Sequence, residues 1–370
     1  MKEYTVLTIN PGSSSTKMGL VKGDKVIFDK TVDHHKEDFA GCASFADQEP
    51  IRMKMIMDAL KEEGVELSSI DAVSGRGVGL YACAGGTYKI DDLAYEHAKK
   101  DVGGIRHPAT LGIIISYKLG KELGVPAFFV NPMPTDELCD EARMTGIPSI
   151  YRAARSHPLN QKQVAIHHSD LMGRKYEESN YIILHLGGGT SITAHRKGKM
   201  IDGNRAGDGQ GPMSPNRSGD ICIGDVMNCI KKGMSVEEVK EYAANKGGLL
   251  ALCGTDDLRE VKEMMKDGSQ IAKLAYDSMI YSMGKWTAMM AGALKGEVDG
   301  ILLTGGMAKD VDLIEKLSEY ISWIAPIYNY AGSFETEALG FGAIRVLTGV
   351  EEVKTYTGRP VWDGFEFVNM

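Results

Sequence analysis

Three glycines in a row, Gly187, Gly188 and Gly189, followed by Thr190 and Ser191, form the stretch of this sequence best suited to holding an anion. Glycine lets backbone N–H groups approach a phosphate with no Cβ in the way, and the two hydroxyls add donors. The N-terminus repeats the design in Asn10-Pro11-Gly12-Ser13-Ser14-Ser15. Each turn follows a short apolar run, residues 5–9 and 182–184, and precedes a second strand-like run that closes in a basic turn, Lys22-Gly23 and Lys197-Gly198. Superposing the basic turns sets Asn10 on His185, Gly12 on Gly187, Ser15 on Thr190 and Thr16 on Ser191. One glycine turn is weak evidence. Two in register, each opening a half of the chain, point to two lobes that each hold phosphate, and so to a nucleotide.

Other residues have the types that such chemistry needs. Arg76 stands between Gly75 and Gly77 at the end of the strand-like run 70–74, a placement that presents a guanidinium to an anion, or else leaves it in a solvated loop. Arg106 and His107 precede Pro108 and Thr110, which mark a helix start, so both lie near a positive helix end. Asp257 either caps the helix expected over 258–266 or serves a ligand. The stretch 300–310, GILLTGGMAKD, reads as a third strand running into a glycine turn at Gly305 and Gly306.

These residues need a scaffold of strands and helices. Helical spacing is found over 47–63, 92–100, 111–123, 161–176, 258–266, 271–294, 312–320 and 334–347, with a shorter helical stretch at 136–143. Ser235 with Glu238 forms a capping box for a helix over 235–245. Short apolar runs at 70–74, 127–130, 300–304 and 323–328 read as strands, and the residues after Gly349 read as a polar surface tail. The alternation predicts an α/β architecture with ligands at strand ends. There is no Walker GxxxxGK[ST] sequence and no GxGxxG after a strand.

Composition narrows the function. A chain of 370 residues with 43% hydrophobic and 25% charged residues is long enough for two domains with full cores. A net charge of -8 argues against a general nucleic-acid or anionic-membrane surface. No apolar run approaches the ~20 residues of a membrane span. None of the six cysteines forms a CxxC pair, which fits reduced thiols in a cytoplasmic protein better than a zinc site.

Taken together, LTINPGSSSTKMGL, HPLNQK, ILHLGGGTSITAHRKGKMIDGNRAGDGQGP, PNRSGD, GGLLALCGTDDLREV and ILLTGGMA resemble the acetate/butyrate kinase (acetokinase) family, on the branch of the butyrate and branched-chain fatty acid kinases. The resemblance runs from about residue 4 to residue 349. It implies the two-lobed α/β actin-like ATPase fold shared by acetate and sugar kinases, heat-shock chaperones and actin, with a central nucleotide cleft. The expected N-terminal lobe is 1–150, with 334–370 packing back on it, and the expected C-terminal lobe is 151–333. The implied reaction is reversible in-line phosphoryl transfer between ATP and a small-molecule carboxylate, giving acyl phosphate and ADP with Mg2+, in a homodimer or larger homo-oligomer.

By the resemblance, Arg76, Arg217, His157, His107 and Asn10 are catalytic. Ser13, Ser15, Lys17, His185, Gly187, Gly188 and Gly189 hold phosphate, while Asp257, Arg259, Gly305 and Gly306 lie on the adenosine side. Glu335, or Glu337 if the alignment slips, reaches the metal, and Asn131 stands where relatives carry a metal-serving aspartate. Arg106 and Thr110 also depart from the family pattern, close to the expected acyl site. A different acceptor, such as a sugar, and a nucleotide-gated ATPase without a metabolic substrate are the competing readings.

Overall fold

The computed structural model describes residues 2–365. The chain forms two compact units. The first takes the residues up to Asp136, then 158–163, and those from Phe334 onward; the second takes 137–157 and 164–333.

The first unit opens with β1 (Thr5–Pro11), β2 (Ser15–Lys22) and β3 (Lys25–Asp33), an antiparallel meander. Helix α1 (Glu49–Glu62) leads to β4 (Ala72–Arg76), which pairs parallel to β1. β5 (Thr87–Lys89), α2 (Asp92–Lys100), α3 (Leu111–Leu123) and β6 (Ala127–Val130) follow. The sheet order is β3-β2-β1-β4-β6-β5. β1 and β4 are buried along nearly their whole length, as expected of central strands whose apolar runs are covered on both faces. At Gly75 a Cβ would stand 2.0 Å from the Gly112 carbonyl oxygen, so α3 lies directly on β4 only because both positions are glycine.

The second unit repeats this order. After α4 (Asp140–Arg143) and α5 (Pro158–Leu171), whose residues 158–163 count with the first unit, the meander β7 (Asn180–His185), β8 (Ser191–Arg196), β9 (Lys199–Gly203) is followed by α6 (Ile223–Lys231), α7 (Val236–Glu241), α8 (Gly248–Cys253), α9 (Leu258–Lys266) and α10 (Gln270–Ala293). β10 (Gly300–Gly305) pairs parallel to β7, and β11 (Ile327–Ala331) parallel to β10, with α11 (Val311–Ile321) between them. The sheet order β9-β8-β7-β10-β11 matches β3-β2-β1-β4-β6 strand for strand. Helix α12 (Glu335–Leu347) belongs to the first unit, where Ala338, Leu339 and Ala343 are buried.

The pairing corrects the superposition of the two hairpins. Asn10 pairs with Lys17, and His185 pairs with Ser191, so Asn10 corresponds to His185 as expected. On the return strand, however, Ser191 corresponds to Lys17. The first glycine turn is one residue longer than the second, 11–16 against 186–190, and the far turns of the hairpins are Gly23-Asp24 and Lys197-Gly198.

Several element bounds differ from expectation. Of 136–143 only Asp140–Arg143 is helical; Asp136 and Cys139 donate their N–H groups to Cys83 and Ile201 instead. The helix expected over 161–176 begins at Pro158, a favoured first helical residue, and ends at Leu171. The strand expected over 323–328 starts only at Ile327, past Pro326, and Trp323 is exposed. The tail is not a loose surface strand throughout: Tyr356 is buried, and its hydroxyl accepts from the Tyr81 N–H at 3.1 Å.

Candidate active site

The first unit gathers its polar groups where β1 and β4 end and α12 begins. Asn10 sits near the end of β1, and its Nδ2 donates to Glu335 Oε2 at 2.7 Å. Arg76 closes β4, donates to Asn10 Oδ1 at 3.3 Å and pairs with Glu335 Oε1 at 3.2 Å. Both charged side chains are largely, but not fully, buried. Glu335 rather than Glu337 therefore occupies this cluster, placed by the first turn of α12. His107 caps a short 3-10 turn over Pro108–Thr110, its Nδ1 accepting from the Ala109 N–H at 3.1 Å. Burial, and then the Arg76 charge, hold its imidazole below the usual histidine range, against the opposing pull of Glu335. A neutral His107 is thus available beside a cation.

The hairpin turn lies next to this cluster in sequence. Gly12 donates its N–H to the Ser15 carbonyl at 2.7 Å, closing the turn. Ser13 and Ser14 are exposed at its tip, with their hydroxyls open to a ligand. Lys17 leaves the turn to pair with Asp29 at 2.8 Å.

The three departures from the family pattern have different surroundings. Asn131 is buried in the left-handed region, φ 38°, and its Oδ1 accepts from the Gly86 N–H at 2.8 Å while its own N–H donates to the Gly86 carbonyl. Its side-chain oxygen ties the chain at Asn131 to the Gly86 loop. Arg106 is exposed, with its N–H on Asp101 Oδ2, and lines a cavity of about 590 Å3 with Lys99 and Lys100 that neither Arg76 nor His107 lines. It does not join the Arg76 cluster. Thr110 points its hydroxyl at the Ala98 carbonyl, 2.9 Å away.

In the second unit the glycine turn and Arg217 meet. A Cβ on Gly189 would stand 1.8 Å from Arg217 Nη1 and 2.2 Å from its Cζ, so the guanidinium fills the space where any other residue would put its side chain. Arg217 Nε donates to the Ala244 carbonyl at 3.2 Å. Burial lowers the Arg217 pKa, partly offset by Asp208. Ser214 Oγ donates to the Gly188 carbonyl at 2.8 Å, so that carbonyl already has a donor. His157 stacks on His185, ring centroids 4.0 Å apart and nearly parallel, and its Nδ1 lies 2.8 Å from Ser191 Oγ. Two predicted histidines thus form one unit at the turn's edge.

A cavity of about 670 Å3 in this unit is lined by Gly188, Asp257, Arg259, Gly306, Lys309 and Asp310, among others. It joins the glycine turn to three residues expected on the adenosine side. Gly305 adopts φ 93°, and a Cβ there would meet the Leu186 carbonyl at 2.2 Å. Asp257 caps α9, accepting from the Arg259 N–H at 2.8 Å, and pairs with the Arg259 side chain, which holds its carboxyl down at about 2. Asp257 thus caps the helix and also borders this cavity. Sequence reasoning missed Ser214, which follows the Asp208–Pro212 loop without a recognisable pattern, and the buried Arg52 and His34 beneath the first turn.

The sequence pattern of the acetokinase family matches residues 151–321. Over 354 residues the chain is 40% identical to a probable butyrate kinase of Clostridium botulinum (strain Eklund 17B / Type B), covering 95% of this chain and 99% of that protein. It is 39% identical to butyrate kinase 1 of Clostridium acetobutylicum, with the same coverage. Among solved structures, the acetate kinase of Porphyromonas gingivalis superposes with a TM-score of 0.76 at 19% identity, covering 94% of this chain and 100% of that one.

Proposed function

Since the chain belongs to the acetokinase family, we propose that its residues catalyse reversible phosphoryl transfer between ATP and a short-chain fatty acid of about four carbons, straight or branched. The activity class, a kinase with a carboxyl group as acceptor, follows from the family; the acid is the proposal, supported by the butyrate kinase relatives. The observation that carries the site is the close approach of Arg217 to Gly189, which brings a half-buried guanidinium onto a glycine turn.

A carboxylate is a weak nucleophile facing a negatively charged phosphoryl group, so the protein's task is to neutralise charge and align the reacting atoms. We assign Arg76 and Arg217 to the carboxylate and the transferring phosphoryl group. Neutral His107 orients the acyl oxygen, and His157, steadied by Ser191 and the His185 ring, donates to the phosphoryl oxygens as their charge shifts. Asn10 holds Arg76 and Glu335 in register. Ser13 and Ser15 on the first turn and Gly187, Gly188 and Gly189 on the second face the phosphates, with Lys17, paired to Asp29, just beyond the first turn on β2, while Asp257, Arg259, Gly305 and Gly306 border the adenosine.

Among the described residues no group of three or more His, Cys, Asp or Glu side chains forms a metal cage. That fits Mg2+, which keeps several waters and enters with the nucleotide, held by one or two carboxylates and the phosphates. Glu335 is the residue we assign to it, and the ion would neutralise phosphate charge. The family resemblance also supports a cytoplasmic homodimer or larger homo-oligomer. No helix among the described residues is long and apolar enough to cross a membrane.

The test is hydroxylamine trapping of acyl phosphate as the hydroxamate, with ATP and magnesium, over straight and branched acids of two to six carbons. We expect the highest kcat/KM near four carbons, each buried methylene contributing up to ~0.8 kcal/mol. Equal or better rates with acetate, or product only with a dicarboxylate, would refute the assigned acid.

A further inference from the structure

Arg52 is the largest fully buried side chain of the protein, 1% exposed, and it forms no ion pair among the described residues. A buried guanidinium without a carboxylate is costly and calls for a reason. Its partners are all neutral, and most belong to the first glycine turn. Nη1 donates to the Gly12 carbonyl at 2.9 Å, to Thr16 Oγ1 at 3.1 Å and to the Ser15 carbonyl at 3.4 Å. Nε and Nη2 donate to Gln48 Oε1, and the Phe39 ring lies 4.8 Å from Cζ. Thr16 Oγ1 is also 2.8 Å from His34 Nε2, and the His34 N–H donates to the Ser14 carbonyl at 2.8 Å. Carbonyls of Gly12, Ser14 and Ser15 are thus each held from beneath.

We propose that Arg52 is a positioning residue for phosphate binding: it draws the turn's carbonyls inward, leaves the N–H groups and hydroxyls of residues 13–15 to face the nucleotide, and has its positive charge answered by the phosphates. The proposal rests on reading this hairpin as a phosphate turn. A turn that binds an anion must aim its amide dipoles one way, and the carbonyls that oppose them need a donor on the far side. The same division of labour is visible at the second turn, where Ser214 holds the Gly188 carbonyl. At the first turn the donor also carries a full charge that no carboxylate among the described residues pairs with. Arg52 is too buried to touch the phosphates, so it acts through the turn and through its field, which a low-dielectric setting transmits well.

The proposal separates phosphate from adenosine recognition. Titration calorimetry of ATP, ADP and adenosine would be run on the full chain and on Arg52→Met and Arg52→Lys. We expect Arg52→Met to weaken ATP by roughly 10- to 30-fold and Arg52→Lys, which keeps the charge but loses the fork, by less. Adenosine affinity stays within about twofold in both, so the ratio of ATP to adenosine affinity falls. In steady state KM for ATP rises and KM for the carboxylate does not. A merely structural arginine would lower the melting temperature and the active fraction without moving that ratio. Should the Arg52 variants fail to fold, Thr16→Val, which keeps the shape and removes one acceptor, is expected to lower the ratio by about threefold. An unchanged ratio in every soluble variant overturns the proposal. Ser13→Ala with Ser15→Ala separates the two ideas. If that double variant weakens ATP while the Arg52 and Thr16 variants do not, Arg52 is not the positioning residue; if none of them weakens ATP, the hairpin is not a phosphate turn and both readings fall.

Discussion

Replacing Gly189 with alanine tests the second turn with the smallest possible change. The new methyl would sit 1.8 Å from Arg217 Nη1 and 2.2 Å from Cζ, whereas carbon and nitrogen in contact need about 3.5 Å. The guanidinium must therefore retreat by more than about 1 Å. It is the far end of a flexible side chain, anchored only by Nε to Ala244 among its neutral contacts, so it can move without displacing backbone. The stability cost should be about 1 kcal/mol or less. The catalytic cost is different in kind, because a displacement of about 1 Å in a positioning group costs about 10²-fold in rate, or roughly 2.7 kcal/mol of transition-state stabilisation. The expected result is a folded protein with a near-normal melting temperature and kcat reduced about 100-fold in a coupled ADP-release assay with butyrate. The cycle with Arg217→Ala sharpens it: once the guanidinium is gone, the added methyl should cost less than about threefold. Wild-type turnover in Gly189→Ala, or full additivity of the two changes, would refute the account of how Arg217 is placed.

Three further expectations follow from other parts of the chain. Asn131→Ala loses the Gly86 hydrogen bond and forces alanine into φ 38°; at about 1 kcal/mol for each, we expect about 2 kcal/mol of destabilisation by urea unfolding, with Asn131→Gly costing about half as much. Tyr356→Phe removes the acceptor of the Tyr81 N–H and the hydroxyl near His97, and should lower stability by about 1–2 kcal/mol, where a loose tail would give no change. His34, His107 and His168 all have pKa values lowered first by burial. Their contribution to stability is full above the ordinary histidine value near 6.5 and is lost as pH falls below it, because the unfolded chain then binds protons that the folded chain refuses. The melting temperature should therefore fall between pH 7 and pH 5, less steeply in His168→Gln; an equal slope in that variant would remove His168 from the account.

Much of this architecture was legible because glycine turns and apolar runs are local signals. The sequence showed both hairpins, the Arg76 strand end and the Gly305 turn, since each depends on residues adjacent in the chain. What it concealed depends on distance or on register. Helix α1 buries Arg52 on the same face as Ile56, Ala59 and Leu60. An arginine on the inner face breaks the apolar pattern, so periodicity alone assigns it to solvent. The left-handed backbone of Asn131 and its hydrogen bond to the Gly86 loop were likewise hidden, because Gly86 lies 45 positions away in the chain. The one-residue slip between the hairpins arose because the two basic turns begin one residue apart, which only strand pairing reveals. Arg217 and Gly189 lie 28 positions apart, and no spacing rule joins them.

The central claim is direct, reversible transfer between a nucleotide and a carboxyl group. It is tested most directly in the reverse direction, by following 31P resonances after mixing the protein with butyryl phosphate, ADP and magnesium. The account predicts that the acyl phosphate signal falls as the ATP γ-phosphate signal rises in equal amount, and that Arg76→Ala and Arg217→Ala abolish both changes. Conversion of acyl phosphate to inorganic phosphate without ATP, or no ADP-dependent loss of acyl phosphate at all, would contradict it.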